Sequence, residues 1–198
     1  MPIFALGEAQ NILLILEEYW SQHPDLQTIP IWYTSSLARR CMEVYRSFTN
    51  VMNERVRLSP KAFDFKYVKF LKQVDNFEDV GSCVMLATPG MLQSGGSRVL
   101  LEKWASDARN GLILAGYSVE GTMARHMVSE PAEIVALSGQ TIPRRMSVEE
   151  ISFAAHVDYT HNSQFIEMVD ANHIVTTYHG IVSNSRFWCM ENYIKWLD

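Results

Sequence analysis

Three short apolar runs, each emptying into a polar or glycine-bearing turn and then a helical repeat, constrain this chain more than anything else in it. Ile29-Pro30-Ile31-Trp32-Tyr33 leads into Thr34-Ser35-Ser36. Cys83-Val84-Met85-Leu86-Ala87 leads into Thr88-Pro89-Gly90, and Gly111-Leu112-Ile113-Leu114-Ala115 into Gly116-Tyr117. A strand that is apolar on both faces must be covered on both, which is the signature of a parallel sheet flanked by helices. The helical segments are equally legible. Ile12, Leu13, Ile15, Leu16, Tyr19 and Trp20 recur at helical spacing, and His23-Pro24 ends that run, because the residue before proline is pushed out of the α region. A second helix is expected from Thr34-Ser35-Ser36 through about Arg55, with Leu37, Cys41, Val44, Tyr45, Phe48 and Met52 on one face. Further helices are expected near Gly96 to Ser106 and from about Gly121, and a short strand over Phe65 to Phe70. The fold class is therefore α/β, a mostly parallel sheet with helices on both faces.

The pattern changes after Ser129-Glu130-Pro131. Ile134 to Leu137 and Arg145 to Phe153 read as strands joined by the turn Ser138-Gly139-Gln140. A helix near Asn162 to Val169, a strand Ile174 to Tyr178 closed by His179-Gly180, and an amphipathic helix Arg186 to Leu197 follow. At 198 residues, 47% apolar and 20% charged, the chain has the make-up of a globular protein with a packed core. No apolar run approaches the roughly 20 residues that span a bilayer, so no membrane partner is expected. Cys41, Cys83 and Cys189 lie far apart with no C-x-x-C pair; they read as reduced thiols of a cytosolic or nuclear protein rather than metal ligands. A net charge of −5 argues against a broad nucleic-acid surface. The clusters Arg39-Arg40, Arg55 and Arg57, Lys66, Lys69 and Lys72, and Arg144-Arg145 leave room for a local positive groove or are simply solvated surface.

Four places carry candidate chemistry. The loop Thr88 to Arg98 contains Ser94-Gly95-Gly96-Ser97-Arg98 and joins a buried strand to a helix. Glycines permit close backbone approach to a ligand, and a helix N-terminus offers N–H groups to an anion. The loop is neither a Walker A nor a dinucleotide fingerprint, and its residues alone fit a structural turn as well as a phosphate site. Ala115-Gly116-Tyr117 with Gly121-Thr122 repeats the arrangement, and Tyr117 either stacks on a base or packs. His156, with Asp158, follows a strand; His179 ends another. Two histidines so placed can serve as proton donor and metal ligand, or can be structural. His23, His126, His161 and His173 have no such setting.

Taken together, Phe4-Ala5-Leu6-Gly7-x-Ala9-Gln10, Ser35-Ser36-Leu37-Ala38, Thr88-Pro89-Gly90-Met91-x-Gln93-Ser94-Gly95, Ala115-Gly116-Tyr117-x-Val119-Glu120-Gly121-Thr122, Ser129-Glu130-Pro131, Ile151-Ser152-Phe153-x-Ala155-His156-x-Asp158 and His179-Gly180 resemble, in order, the β-CASP metallo-β-lactamase nucleases, and most of all the members that process pre-mRNA 3′ ends. The resemblance implies a zinc-dependent endoribonuclease that cuts pre-mRNA before polyadenylation, in the nucleus, beside other subunits of a cleavage and polyadenylation complex. An Integrator-type endonuclease and a non-catalytic scaffold relative are the alternatives. In this family a cap is inserted in a metallo-β-lactamase fold that carries two zinc ions. Residues 1–145 then correspond to the cap, its first strand cut short, and 146–198 to a returning segment of the metallo-β-lactamase domain. His156 matches the proton donor to the leaving group and His179 the last zinc ligand. Ser94, Gly95, Gly96, Ser97, Arg98 and Tyr117 match loops that face RNA. The family's H-x-H-x-D-H zinc motif has no counterpart here, so the isolated chain is expected neither to hold the zinc pair nor to cut RNA. The arginine of the family's G-R-A-Q-E segment is Glu8, its glutamate is Asn11, and the acidic residue after the final His-Gly is Ile181.

Overall fold

The computed structural model describes residues 1–35, 37–59, 61–151, 153 and 159–171. His156, Asp158 and His179, with the strand and helix expected after residue 172, lie outside the described residues. The chain divides into two compact units, 1–155 and 156–198.

In the first unit, helix α1 (Glu8–Gln22) begins at Gly7, whose φ of 81° suits a residue without a side chain, and stops where His23 precedes Pro24. It buries Ala9, Ile12, Leu13 and Trp20, and the Trp20 indole donates to Ile29 O at 2.9 Å, fixing the return into β1 (Ile31–Thr34). Strand β1 is the middle of a parallel three-stranded sheet. It pairs with β2 (Val68–Leu71) in register Ile31 with Val68, and with β3 (Val84–Ala87) in register Ile31 with Val84. Between β1 and β2 lie α2 (Ala38–Ser47) and the single turn α3 (Glu54–Arg57). After β3 come α4 (Gly95–Trp104), β4 (Gly111–Ala115) and α5 (Met123–Val128). A small antiparallel hairpin of β5 (Glu133–Val135) and β6 (Thr141–Pro143) precedes β7 (Ser147–Ile151), which lies parallel to β4. The second unit contains α6 (Tyr159–Val169). Among the described residues no helix is long and apolar enough to cross a membrane.

Burial follows the strands. Ile3, Leu13, Ile31, Tyr33 and Leu86 centre one apolar cluster; Leu92, Leu101, Leu114, Met127 and Ile134 centre a second. Met85, Ala87 and Leu100 form a third, against which Trp32, Phe77 and Trp104 pack edge to face. The expected α/β class with parallel strands is the observed one.

Two expectations are corrected. The helix expected through Arg55 ends at Ser47: Phe48 leaves helical geometry, Thr49–Val51 tightens into a 3-10 turn, and Met52 is extended. Asn53 then caps a new helix by accepting from Val56 N at 3.0 Å. The turn at Ser138-Gly139-Gln140 joins β5 to β6, not to the strand that follows Arg145. That later strand is β7, and its partner is β4, in register Gly111 with Ser147. Strand β7 lies within the first compact unit, 1–155.

Candidate functional site

The segments leaving β1, β3 and β4 meet at one edge. Thr88 N donates to Thr34 O at 3.4 Å, joining the exits of β3 and β1. The loop after β3 is tied to the start of α5 by two bonds: Met123 N to Gln93 Oε1 at 3.0 Å, and Ala124 N to Met91 O at 3.1 Å. Thr122 caps α5 through its own hydroxyl, which accepts from Arg125 N. The two glycine loops thus form one surface, as open α/β sheets arrange their strand ends.

Two glycines in this surface are there for space. A Cβ on Gly96 would lie 2.7 Å from Val74 Cγ2, and one on Gly90 would lie 3.3–3.4 Å from the backbone of Ile3 and Phe4. Gly95, at φ 69°, and Ser94 are exposed at the head of α4. The Ser94 side chain makes no cap bond, although it holds the N-cap position. The third N–H of the helix is committed, since Ser97 N donates to Thr88 O at 3.1 Å.

Ser97 and Arg98, expected in the RNA-facing set, turn their side chains inward. Ser97 is buried and its hydroxyl donates to Pro89 O at 2.6 Å. The Arg98 guanidinium, 5% exposed, bonds Glu102 at 2.6 Å, Leu92 O at 3.4 Å, and Val135 O. Glu102 in turn accepts from Leu137 N at 2.9 Å. Arginine fits this junction because its planar fork reaches several acceptors at once. It shapes the loop from beneath and binds the β5–β6 hairpin to it.

Tyr117 is 59% exposed and stacks on Phe4, ring centres 6.0 Å apart and planes 26° from parallel. Below them is Glu8, in the first turn of α1. It accepts from Phe4 N at 3.2 Å, and its other oxygen is buried with no hydrogen-bond partner, 3.1 Å from where a Cβ on Gly116 would sit. Burial pushes the Glu8 carboxyl above its ordinary 4.5, and the Phe4 N–H partly offsets that. Ser118 Oγ is likewise buried without a partner. Phe4 and Gln93 entered the sequence reading only within the motifs of the resemblance and Glu8 only as a departure from it, while Ser118 was not singled out. Gly90 and Gly116 mark the close approach of Phe4 and Glu8.

Residues 9–127 match the Beta-Casp domain. The chain belongs to the β-CASP family. Among its relatives, "Endoribonuclease ysh1" of Schizosaccharomyces pombe is 57% identical over 187 residues, 93% of this chain and 25% of the relative. "Cleavage and polyadenylation specificity factor 73" of Drosophila melanogaster is 53% identical over 183 residues, 91% of this chain and 27% of the relative. "Cleavage and polyadenylation specificity factor subunit 3" of Dictyostelium discoideum is 50% identical, over 91% of this chain and 24% of the relative. The chain spans about a quarter of the length of these β-CASP relatives. Among its described residues no group of three or more His, Cys, Asp or Glu is placed to hold a metal ion.

Two outcomes follow from this geometry. Arg98→Ala removes a nearly buried guanidinium from a partly buried carboxylate and two carbonyls, and should cost on the order of 3 kcal/mol of unfolding free energy in a denaturant titration. A loss under about 0.5 kcal/mol, the range of an ordinary surface site, would contradict the internal role. For Glu8 the folded pKa is raised, so its contribution to stability is fully present below pH 4.5 and is lost as pH rises through the folded value. Glu8→Gln, neutral throughout, should match the parent at pH 4 and melt higher than it at pH 7. A difference that does not change with pH would contradict the desolvation account.

Proposed function

We propose that this chain is the greater part of the β-CASP cap, with a returning segment of the metallo-β-lactamase domain, of a zinc-dependent endoribonuclease that cuts pre-mRNA at its 3′ end before polyadenylation. The observation that carries this is identity of 50–57% across nine-tenths of the chain to relatives named as endoribonucleases or cleavage and polyadenylation factors. The partners that follow are pre-mRNA and the other subunits of a cleavage and polyadenylation complex, and the compartment is the nucleus. Pairing of β7 with β4 supports a cap that continues through Ile151, with the metallo-β-lactamase segment beginning beyond it.

RNA meets the cap at the glycine-loop edge. Exposure of Ser94, Gly95 and Tyr117 supports this: an exposed aromatic ring offers a base a stacking face, and a glycine turn lets a phosphate come close to backbone N–H groups. Ser97 and Arg98 act from below, by holding the turn in shape. His156 donates the proton to the departing oxygen of the cleaved phosphodiester, and His179 is a metal ligand. A histidine suits the first role because its ordinary pKa, about 6.5, lets it carry and release a proton near neutrality. The two zinc ions belong to the full-length enzyme.

The two histidines separate in one experiment on the full-length enzyme. His156→Ala should slow cleavage by roughly 10²-fold or more and leave metal content intact. His179→Ala should lower metal content as well as activity. Loss of metal in His156→Ala, or cleavage near the parent rate, would overturn the assignment.

A further inference from the structure

Helix α2 carries an apolar row on its outer side. Its inner side is taken by the core: Cys41 and Met42 are buried, and Tyr45 packs edge to face on Phe63. Leu37 holds the N-cap position, Val44 lies seven residues on, and Phe48 follows four later at the C-cap. Residues so spaced recur on one side of an α-helix, and all three are exposed. The 3-10 turn Thr49–Val51 continues the row, because side chains three apart eclipse in that geometry; Val51 is 74% exposed. From Leu37 to Phe48 the row is about 16 Å long at the rise of an α-helix. Exposed apolar residues scattered singly need no explanation, but a contiguous apolar surface marks a place where something binds.

The charge of this part of the chain is equally uneven. Residues 36–72 hold nine of the chain's 17 lysines and arginines and only three of its 22 acidic residues. In a chain of net charge −5 this stretch is therefore positive by six. Arg40 lies one turn before Val44 and is exposed. Arg57 and Lys61, also exposed, come at the end of α3 and just after it, and α3 packs on the 3-10 turn. Among the described residues Arg40, Arg57 and Lys61 form no ion pair. Arg46, by contrast, holds Asp64 at 2.8 Å.

We propose that the outer face of α2, from Leu37 to Val51, is a docking surface for an acidic amphipathic helix of a partner protein. This goes beyond the nuclease assignment and does not depend on it. A helix fits because a row of anchors along one helix is matched by the evenly spaced apolar side chains of another, laid into the adjoining groove. An acidic partner fits because unpaired cations beside the row attract and select the opposite charge. A second copy of this chain would instead set the same positive stretch against itself. RNA would meet the cations but leave Leu37, Val44 and Val51 unused, since aliphatic side chains offer a base no ring to stack on. The row and the charge together therefore call for a polypeptide with apolar residues on one face and carboxylates at its margins.

The probe is a synthetic helix of about four to five turns, with leucine along one face and glutamate on the others. Its binding to this chain and to the full-length enzyme is measured by fluorescence anisotropy. A second peptide has the same composition with the leucines dispersed around the helix. The first peptide should bind both proteins, and the dispersed one should bind at least roughly tenfold more weakly. Val44→Ser combined with Phe48→Ser, and separately Arg40→Glu, should each weaken binding by roughly tenfold or more while keeping the parent's melting temperature, because these side chains are exposed. Equal binding of the two peptides, or unchanged affinity in both variants, would overturn the proposal. Three other results would reassign the face and overturn it too. Dimerisation of the chain that Phe48→Ser abolishes would give the face to a second copy. Displacement of the peptide by a single-stranded RNA, with RNA affinity lost in the Val44→Ser, Phe48→Ser variant, would give it to RNA. Binding to this chain but not to the full-length enzyme would give it to the rest of the same polypeptide.

Discussion

The guanidinium of Arg98 holds together the glycine-loop edge at which RNA is proposed to meet the cap. From the first turns of α4 it reaches Leu92 O in the loop after β3 and Val135 O in the β5–β6 hairpin, while Glu102, one turn on, takes Leu137 N. A charge so deeply placed is tolerated only because it is paired and its donors are bonded. Through Leu92 it sets the loop whose next residue, Gln93, and whose Met91 carbonyl receive the N–H groups that open α5. The edge that carries Ser94, Gly95 and Tyr117 is therefore built from below by one buried cation.

Much of the fold was legible because it is written locally. The runs Cys83 to Ala87 and Gly111 to Ala115 became β3 and β4 almost to the residue. Where sequence reasoning failed, the deciding interaction lay far along the chain. Ser147 to Ile151 has the look of a strand, but nothing in it says that its partner is β4 rather than the strand before the Ser138-Gly139 turn. Arg98 stands among glycines and serines and reads as a surface cation. Its partner four residues on was visible, but Val135 O was not. The break of the second helix at Phe48 lies within an unbroken apolar pattern and shows only in the Asn53 cap that follows.

The electrostatics of the edge also differ from a count of charges. The net charge of −5 counts Glu8 in full, yet Glu8 sits half-buried under the Phe4–Tyr117 stack, where desolvation penalises its ionised form. The resemblance to the β-CASP nucleases puts an arginine at this position, where this chain carries a carboxyl whose ionised form is penalised by desolvation. Lys66 and Lys69, which read as a basic cluster, lie instead over the rings of Tyr67 and Trp32 on the β2 side of the sheet. Neither feature favours strong ionic capture of RNA; both favour a contact made through aromatic faces and glycine backbone.

Photocrosslinking of a uridine-rich single-stranded RNA to the chain at low salt, with the attachment sites mapped by mass spectrometry, tests that contact directly. Crosslinks should concentrate at Tyr117 and Phe4 and in the Ser94 to Gly96 turn, and should fall as salt rises, since phosphate contacts displace counterions. Crosslinks confined to Lys66, Lys69 and Lys72, with none at the glycine-loop edge, would contradict the account.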